Sequence, residues 1–388
     1  MEHRYPRQFA WCALVNFTQA VSFAVFLHFP GFLKELGAGE GAIGILMSLP
    51  ALAGVVLGPS CGRLLDRRGR RPLIISGNLL NVGVVGCYLT FQALSPALYV
   101  VRVLHGVAGT MLASALLTYA ADMVPPARTA QGLALFGVSA MLAITVGGII
   151  GEAALAWGGY PTLLLTSLVC ALTALGLALP LAEPAHTLAH TTILPRALRA
   201  TLCQSDLLAL WVLAWVFFIA LAGVFTFLKT YVLVTGFGSL STFFTIYTLT
   251  AVVQRLALGW LPDRVGLLLV LGPALMAVVV GLVLLSVASN AWMVWIAGFF
   301  CGLGHGCAYP VLLGLINRRA RTAERGAAIA LYTTIDDGAV LVAGPVLGYL
   351  IEATGYAPMF GSLAGLLAVT TLLYWGWDRA PASVQDRR

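Results

Sequence analysis

The chain has 388 residues, 60% of them hydrophobic and only 10% charged, where an ordinary soluble domain has about 25% charged. A mean hydropathy of +0.93 excludes a soluble globular enzyme and points to a polytopic membrane protein. The net charge of +7 does not mark a nucleic-acid binder, because the arginines are spread through short loops and not gathered on one domain.

Apolar segments predict helices over 9–33, 41–65, 72–94, 96–124, 130–156 and 160–182, then over 206–235, 239–262, 267–288, 290–317, 326–352 and 357–377. Each is close to or above the roughly 20 residues that cross a bilayer, which gives twelve spans. Arg4 and Arg7 ahead of the first run imitate a signal peptide, but the run is too long for one and lacks a cleavage site. The longest non-apolar stretch, 183–205, reads as a linker between a bundle over 1–182 and a second over 206–388. The seven cysteines show no metal-type spacing and read as small buried hydrophobes. No nucleotide-binding loop, metal spacing or catalytic triad appears, so neither a cofactor nor an enzymatic activity is expected.

Ionisable and polar residues inside the spans are functional candidates, because charge is costly there. The first predicted helix carries Asn16 and Gln19 on one stripe. His28 lies about 120–180° from that stripe and reads as interfacial. The fourth carries Arg102, with His105 three residues on, and ends at Asp122. The fifth carries Glu152 at a depth similar to that of Arg102, so an Arg102–His105–Glu152 cluster is expected. Lys229 sits near the end of the seventh and reads as snorkelling. Arg255 on the eighth and Asp336 and Asp337 on the eleventh read as a proton site, a cation site or a charge lock to the arginine loops. His305 and Tyr309, one turn apart on the tenth, read as cavity-lining or as core residues.

With the N-terminus in the cytoplasm, the inside segments hold nearly all the loop arginines, and the outside loops hold only Lys34. The positive-inside rule therefore puts both termini and the linker in the cytoplasm of a cell whose cytoplasmic membrane carries the protein.

The densest charge cluster is Gly62–Pro72, GRLLDRRGRRP, between two apolar runs. Its Gly62, Asp66, Arg67 and Gly69 recur 197 positions later as Gly259, Asp263, Arg264 and Gly266. The same shift pairs Gly109 with Gly306, Arg128 with Arg325, Gly147 with Gly344 and Gly151 with Gly348, as a duplicated six-helix unit would. The spacing Gly-x-x-x-Asp-Arg-x-Gly-Arg-Arg, ending on Arg70 and Arg71, resembles the loop between the second and third helices of the major facilitator superfamily. Arg102-x-x-His105-Gly106-x-x-Gly109 resembles that family's fourth-helix motif, with His105 in place of the usual glutamine. Gly147-Gly148-Ile149-Ile150-Gly151-Glu152 departs from the fifth-helix motif of its drug–proton antiporters, lacking the proline.

The resemblance implies an all-α membrane protein with twelve transmembrane helices as two pseudo-symmetric six-helix bundles. It also implies a gating role for Gly62, Asp66, Arg67, Gly69, Arg70 and Arg71, with Asp122 paired to Arg70 as a latch on the inner face. The function expected is secondary active transport by a monomer, in contact with membrane lipid, of a small organic molecule, with the proton as coupling ion and export as the direction. Uptake or facilitated diffusion of a small metabolite such as a sugar or carboxylate, or a transport-inactive membrane sensor or assembly protein, are the alternatives.

Overall fold

The computed structural model describes residues 7–124, 129–183 and 195–379. These form twelve long helices: α1 Arg7–Glu35, α2 Glu40–Arg68, α3 Arg70–Tyr88, α4 Pro96–Met123, α5 (129–157), α6 (160–178), α7 Ser205–Thr235, α8 Leu240–Leu258, α9 Leu267–Val287, α10 Ala291–Arg319, α11 Arg325–Thr354 and α12 Tyr356–Arg379. A short helix, Pro195–Leu202, precedes α7 within the predicted linker. The expected all-α architecture of two six-helix halves is therefore present, α1–α6 in the first and α7–α12 in the second.

Local chemistry explains the breaks. In α1 the turn Val25–His28 tightens to 3-10 geometry ahead of Pro30, whose ring crowds the carbonyl four residues back and supplies no N–H. Helices α5 and α6 run end to end over Thr129–Ala178. They part at Gly158 and Gly159, the latter with φ +67°, just before Pro161. Nine stretches among the described residues are long and apolar enough to cross a membrane, one of them holding both α5 and α6. Helices α3 and α8 fall short because they carry polar groups such as Asn78 and Asn81 in one and Gln254 and Arg255 in the other.

The 197-residue repeat has a backbone expression. Gly69 (φ +86°) and Gly266 (φ +98°) both end a helix with an N–H bonded at 3.0 Å to the carbonyl four residues back, Leu65 and Pro262. Positive φ explains why glycine occupies both positions.

Among these nine stretches α7 is the most enclosed, with 72% of its most apolar part buried against 33% for α12. It lies at the centre of an aromatic core that includes Phe217, Phe218, Phe227 and Phe243. The outer faces expose Trp157, Leu256, Trp292 and Leu373, as helices meeting lipid do. Four cysteines are buried, but Cys87 and Cys203 are exposed and Cys170 half-buried, which corrects the uniform core expectation. Cys87 lies at the end of α3 and Cys203 directly after the short linker helix.

Across the halves α2 packs on α11 and α5 on α8. Gly44 and Gly344 meet backbone to backbone, so that a Cβ on either would collide with the other's carbonyl oxygen. Shifting Gly44 and Gly147 by 197 gives Ser241 and Gly344. The second crossing accordingly brings Ser241 against Gly148, within one residue of the symmetric position.

Candidate functional site

Hydrogen bonds between the halves among the described residues all lie toward the arginine-poor end of the bundle. Glu40, at the first turn of α2 and 7% exposed, receives Lys34 Nζ at 2.6 Å. From the second half, Tyr356 donates its hydroxyl to Glu40 at 2.6 Å and Thr230 at 3.0 Å. In the reverse sense, Glu352 of α11 accepts the Gly41 backbone N–H at 3.0 Å. Ser241 of α8 donates to the Glu152 carboxylate of α5, and Thr145 to the Phe244 carbonyl at 3.5 Å. Carboxylates carried by one half and held by donors of the other thus close this end. Glu40, Thr230 and Tyr356 escaped sequence reasoning; Glu40 was readable only as an acidic residue six positions after Lys34.

Below this closure lies a cleft between the halves. One part, of about 230 Å³, is walled by Phe23, Phe26 and Met47 from the first half and Phe225 and Val340 from the second, with Arg102, His105 and Thr226 as its polar groups. Beside it a cavity of about 350 Å³, lined by first-half residues, shares Phe23 and Leu27 with it and reaches Gln19 and Ile144. No carboxylate lines either space among the described residues.

Arg102 is buried, at 3% exposed. Its Nε donates to the Leu46 carbonyl at 2.8 Å and its Nη2 to that of Met47 at 3.4 Å. Its guanidinium lies 5.1 Å from the Phe29 ring centroid and 5.9 Å from that of Phe26. Nη1 approaches His105 Nδ1 at 3.3 Å, and Tyr88 reaches the same nitrogen at 3.4 Å. Asn16 donates to Ser139 at 2.8 Å and accepts from Gln19 at 3.4 Å, so that stripe faces α5.

Two of these expectations are not met, one a grouping and one a placement. Glu152 does not join Arg102 and His105. It is held by Ser241 and acts electrostatically on His28 and Lys229. Equal depth placed Glu152 beside Arg102 in the sequence reading, but the two side chains leave their helices in different directions. His28 is not interfacial: it is fully buried with Nε2 3.0 Å from the Gly148 carbonyl, in a space opened by Gly151. The 3-10 turn rotates it away from the phase that a regular helix would give it. Arg255 makes no ion pair with Asp336 or Asp337; its Nε donates to the Gly306 carbonyl at 3.0 Å. Tyr309 lies in the field of both carboxylates and of Arg255. The Asp337 carboxylate lies against Gly54 of α2, across the interface between the halves. Neither aspartate has a hydrogen bond among the described residues. His305 accepts or donates at Tyr247 and stacks edge-on to Tyr309, 5.7 Å between centroids, within the second half.

At the arginine-rich end, Arg70 Nε meets Asp122 at 2.9 Å with both side chains at 1% exposure or less. Arg70 also donates to the Leu65 carbonyl at 3.1 Å. The Glu183 carboxylate accepts the backbone N–H groups of Arg70 and Arg71, at 2.7 and 2.8 Å, and so caps α3 from the end of α6. By sequence alone Glu183 falls in the linker. This network ties together helix ends of one half, and it is made while the halves are joined at the other end. It is therefore not itself a bond between halves. The 197 shift puts Leu267 and Arg319 where Arg70 and Asp122 stand, so the second half has no equivalent pair. Arg67 is exposed. The surroundings of Gly62, the side chains of Asp66 and Asp263, and Arg128 as a whole lie outside the described residues.

The family model described as Major Facilitator Superfamily matches residues 9–343 and 268–388. The chain belongs to the major facilitator superfamily. Among curated relatives, the uncharacterized MFS-type transporter YhhS of Escherichia coli K12 is 25% identical over 369 residues, covering 91% of this chain and 87% of that protein. YhhS of Salmonella typhimurium LT2 is 25% identical over 371 residues, covering 91% and 88%. Among solved structures, the nucleoside transporter NupG (D323A mutant) superposes with a TM-score of 0.82 at 12% identity, covering 95% of this chain and 99% of its own. The human organic anion transporter MFSD10 superposes at 0.72 with 16% identity, covering 95% and 100%. These likenesses establish the superfamily's fold, and the protein is a multi-pass membrane transporter of this superfamily.

Proposed function

We propose that this transporter works by alternating access and exports a small amphipathic molecule in exchange for protons. The observation that carries the reading is the one-sided closure: the halves are bonded to each other through Glu40, Glu352 and Glu152 at one end, above a cleft that contains Arg102 and His105. Two rigid halves with a site between them exchange access by rocking. The loop arginines put the arginine-rich end in the cytoplasm, so this state faces inward, ready to load from the cell. The domain limits proposed are 1–182, 183–205 and 206–388, in a monomer of the cytoplasmic membrane with both termini inside.

Coupling is assigned to Asp336 and Asp337, not to Glu152. Asp337 sits at the interface between the halves, with no hydrogen bond to relinquish when they move. Glu152, by contrast, is part of the closure. The test is flux in proteoliposomes with an imposed pH gradient, across a panel of amphipathic molecules. Asp337→Asn is expected to lose uphill accumulation while keeping substrate counterflow. Uphill transport at the wild-type rate in that variant would remove the aspartates from the coupling.

A further inference from the structure

Arg102 donates and cannot accept, so its contact with His105 Nδ1 requires that nitrogen to be the acceptor. The imidazole proton then resides on Nε2, an assignment that follows from hydrogen-bond chemistry. That Nε2 is buried and has no partner. Thr226, across the cleft on α7, is 6% exposed and its hydroxyl likewise has no hydrogen bond among the described residues. The polar groups of the smaller cleft are thus a guanidinium, an imidazole N–H and a hydroxyl: donors from both halves, with no carboxylate to face them.

The surroundings deepen the asymmetry. Two backbone carbonyls and the Phe26 and Phe29 rings share the desolvation of Arg102, but none of them carries a full negative charge. The remaining walls are Phe23, Phe225, Met47 and Val340. An apolar cavity with a few convergent donors fixes a ligand by its one polar end.

We propose that the cleft binds an organic monoanion with an aromatic or branched apolar body, its anionic group on Arg102 and His105 Nε2–H and its body against Phe23, Phe26 and Phe225. This deepens the transport reading by naming a substrate class, and the site would bind such an anion whether or not the protein carries it across. Thr226 supplies the contact from the second half. An anion on Arg102 therefore touches both halves, and its binding is sensitive to their relative position.

The experiment uses the full chain in detergent with a graded panel of aromatic and branched aliphatic carboxylates, each matched by its primary amine and its alcohol. Thermal unfolding is followed first, then affinity by calorimetry. At least one carboxylate is expected to raise the melting temperature by about 2 °C or more at saturating concentration, with its amine and alcohol inert. Arg102→Gln is expected to weaken that carboxylate about thirtyfold or more. His105→Phe, which keeps the ring packing and removes the N–H, weakens it less, and Arg102→Lys retains part of the affinity. His105→Phe keeps the test decisive if Arg102→Gln does not fold. Binding by amines or alcohols alone, no shift from any carboxylate, or a carboxylate shift unchanged in Arg102→Gln would overturn the anion site while leaving the transport reading intact. Carboxylate binding that depends on Arg102, without flux of that carboxylate in proteoliposomes, would sustain the anion site and count against transport.

Discussion

Arg70 and Asp122 sit 2.9 Å apart with almost no exposure, so neither charge has water as an alternative partner. Removing one member of such a pair costs about 3–5 kcal/mol, because the other keeps its burial and loses the opposite charge beside it. Asp122→Asn is therefore expected to lower thermal stability in detergent markedly, and Arg70→Met/Asp122→Leu to recover much of the loss. A double variant as unstable as the sum of the two singles would mean that the pair does not interact energetically. The residues of this network were partly legible: the charges stand out in the chain, and the superfamily resemblance named Arg70 and Asp122. Their partners were not. Glu183 looked like linker because only its place along the chain was visible, whereas its role as the cap of α3 depends on where α6 ends in space. Glu152 and Arg102 share a depth, and depth alone does not fix which way a side chain leaves its helix.

Glycine sets how closely helices approach, and α2 and α11 show the limit. Gly344 has no room for a Cβ against the Gly44 carbonyl, whereas Gly83 on α3 faces open space. Gly344→Val is expected to prevent closure at the arginine-poor end and to shift the population toward its open form, read as faster thiol labelling of a cysteine at Thr230. Gly83→Ala is expected to leave that labelling unchanged and to stabilise the helix by about 0.5–1 kcal/mol. Equal labelling rates in wild type and Gly344→Val would show that this contact does not control the closure. At this scale most of the architecture was readable. Apolar run lengths gave twelve helices, and the 197-residue shift gave the repeat that the Gly69 and Gly266 turns express in their backbones. What the runs could not give was the tightened turn before Pro30, which moved His28 from the expected rim into the core, or the helix inside 183–205.

Over the whole molecule, one closed end and one cleft make a single state of a two-state device. The superfamily fold was legible because bilayer thickness, loop charge and duplication each leave marks in one dimension. The state was not, because it depends on hydrogen bonds between residues more than 300 positions apart, such as Glu40 with Tyr356. Closure at one end and opening at the other are expected to exchange as the halves rock. Spin-label distances test it in a cysteine-free version reconstituted into liposomes. One label pair, Thr90→Cys with Ser289→Cys, spans exposed positions of the two halves in the loops of the arginine-poor end. A second, Arg68→Cys with Arg321→Cys, spans exposed positions at the arginine-rich end. Acidification, or addition of the carboxylate with the largest thermal shift, is predicted to lengthen one distance while shortening the other. Distances that stay fixed under every condition, or that lengthen and shorten together, would contradict the account.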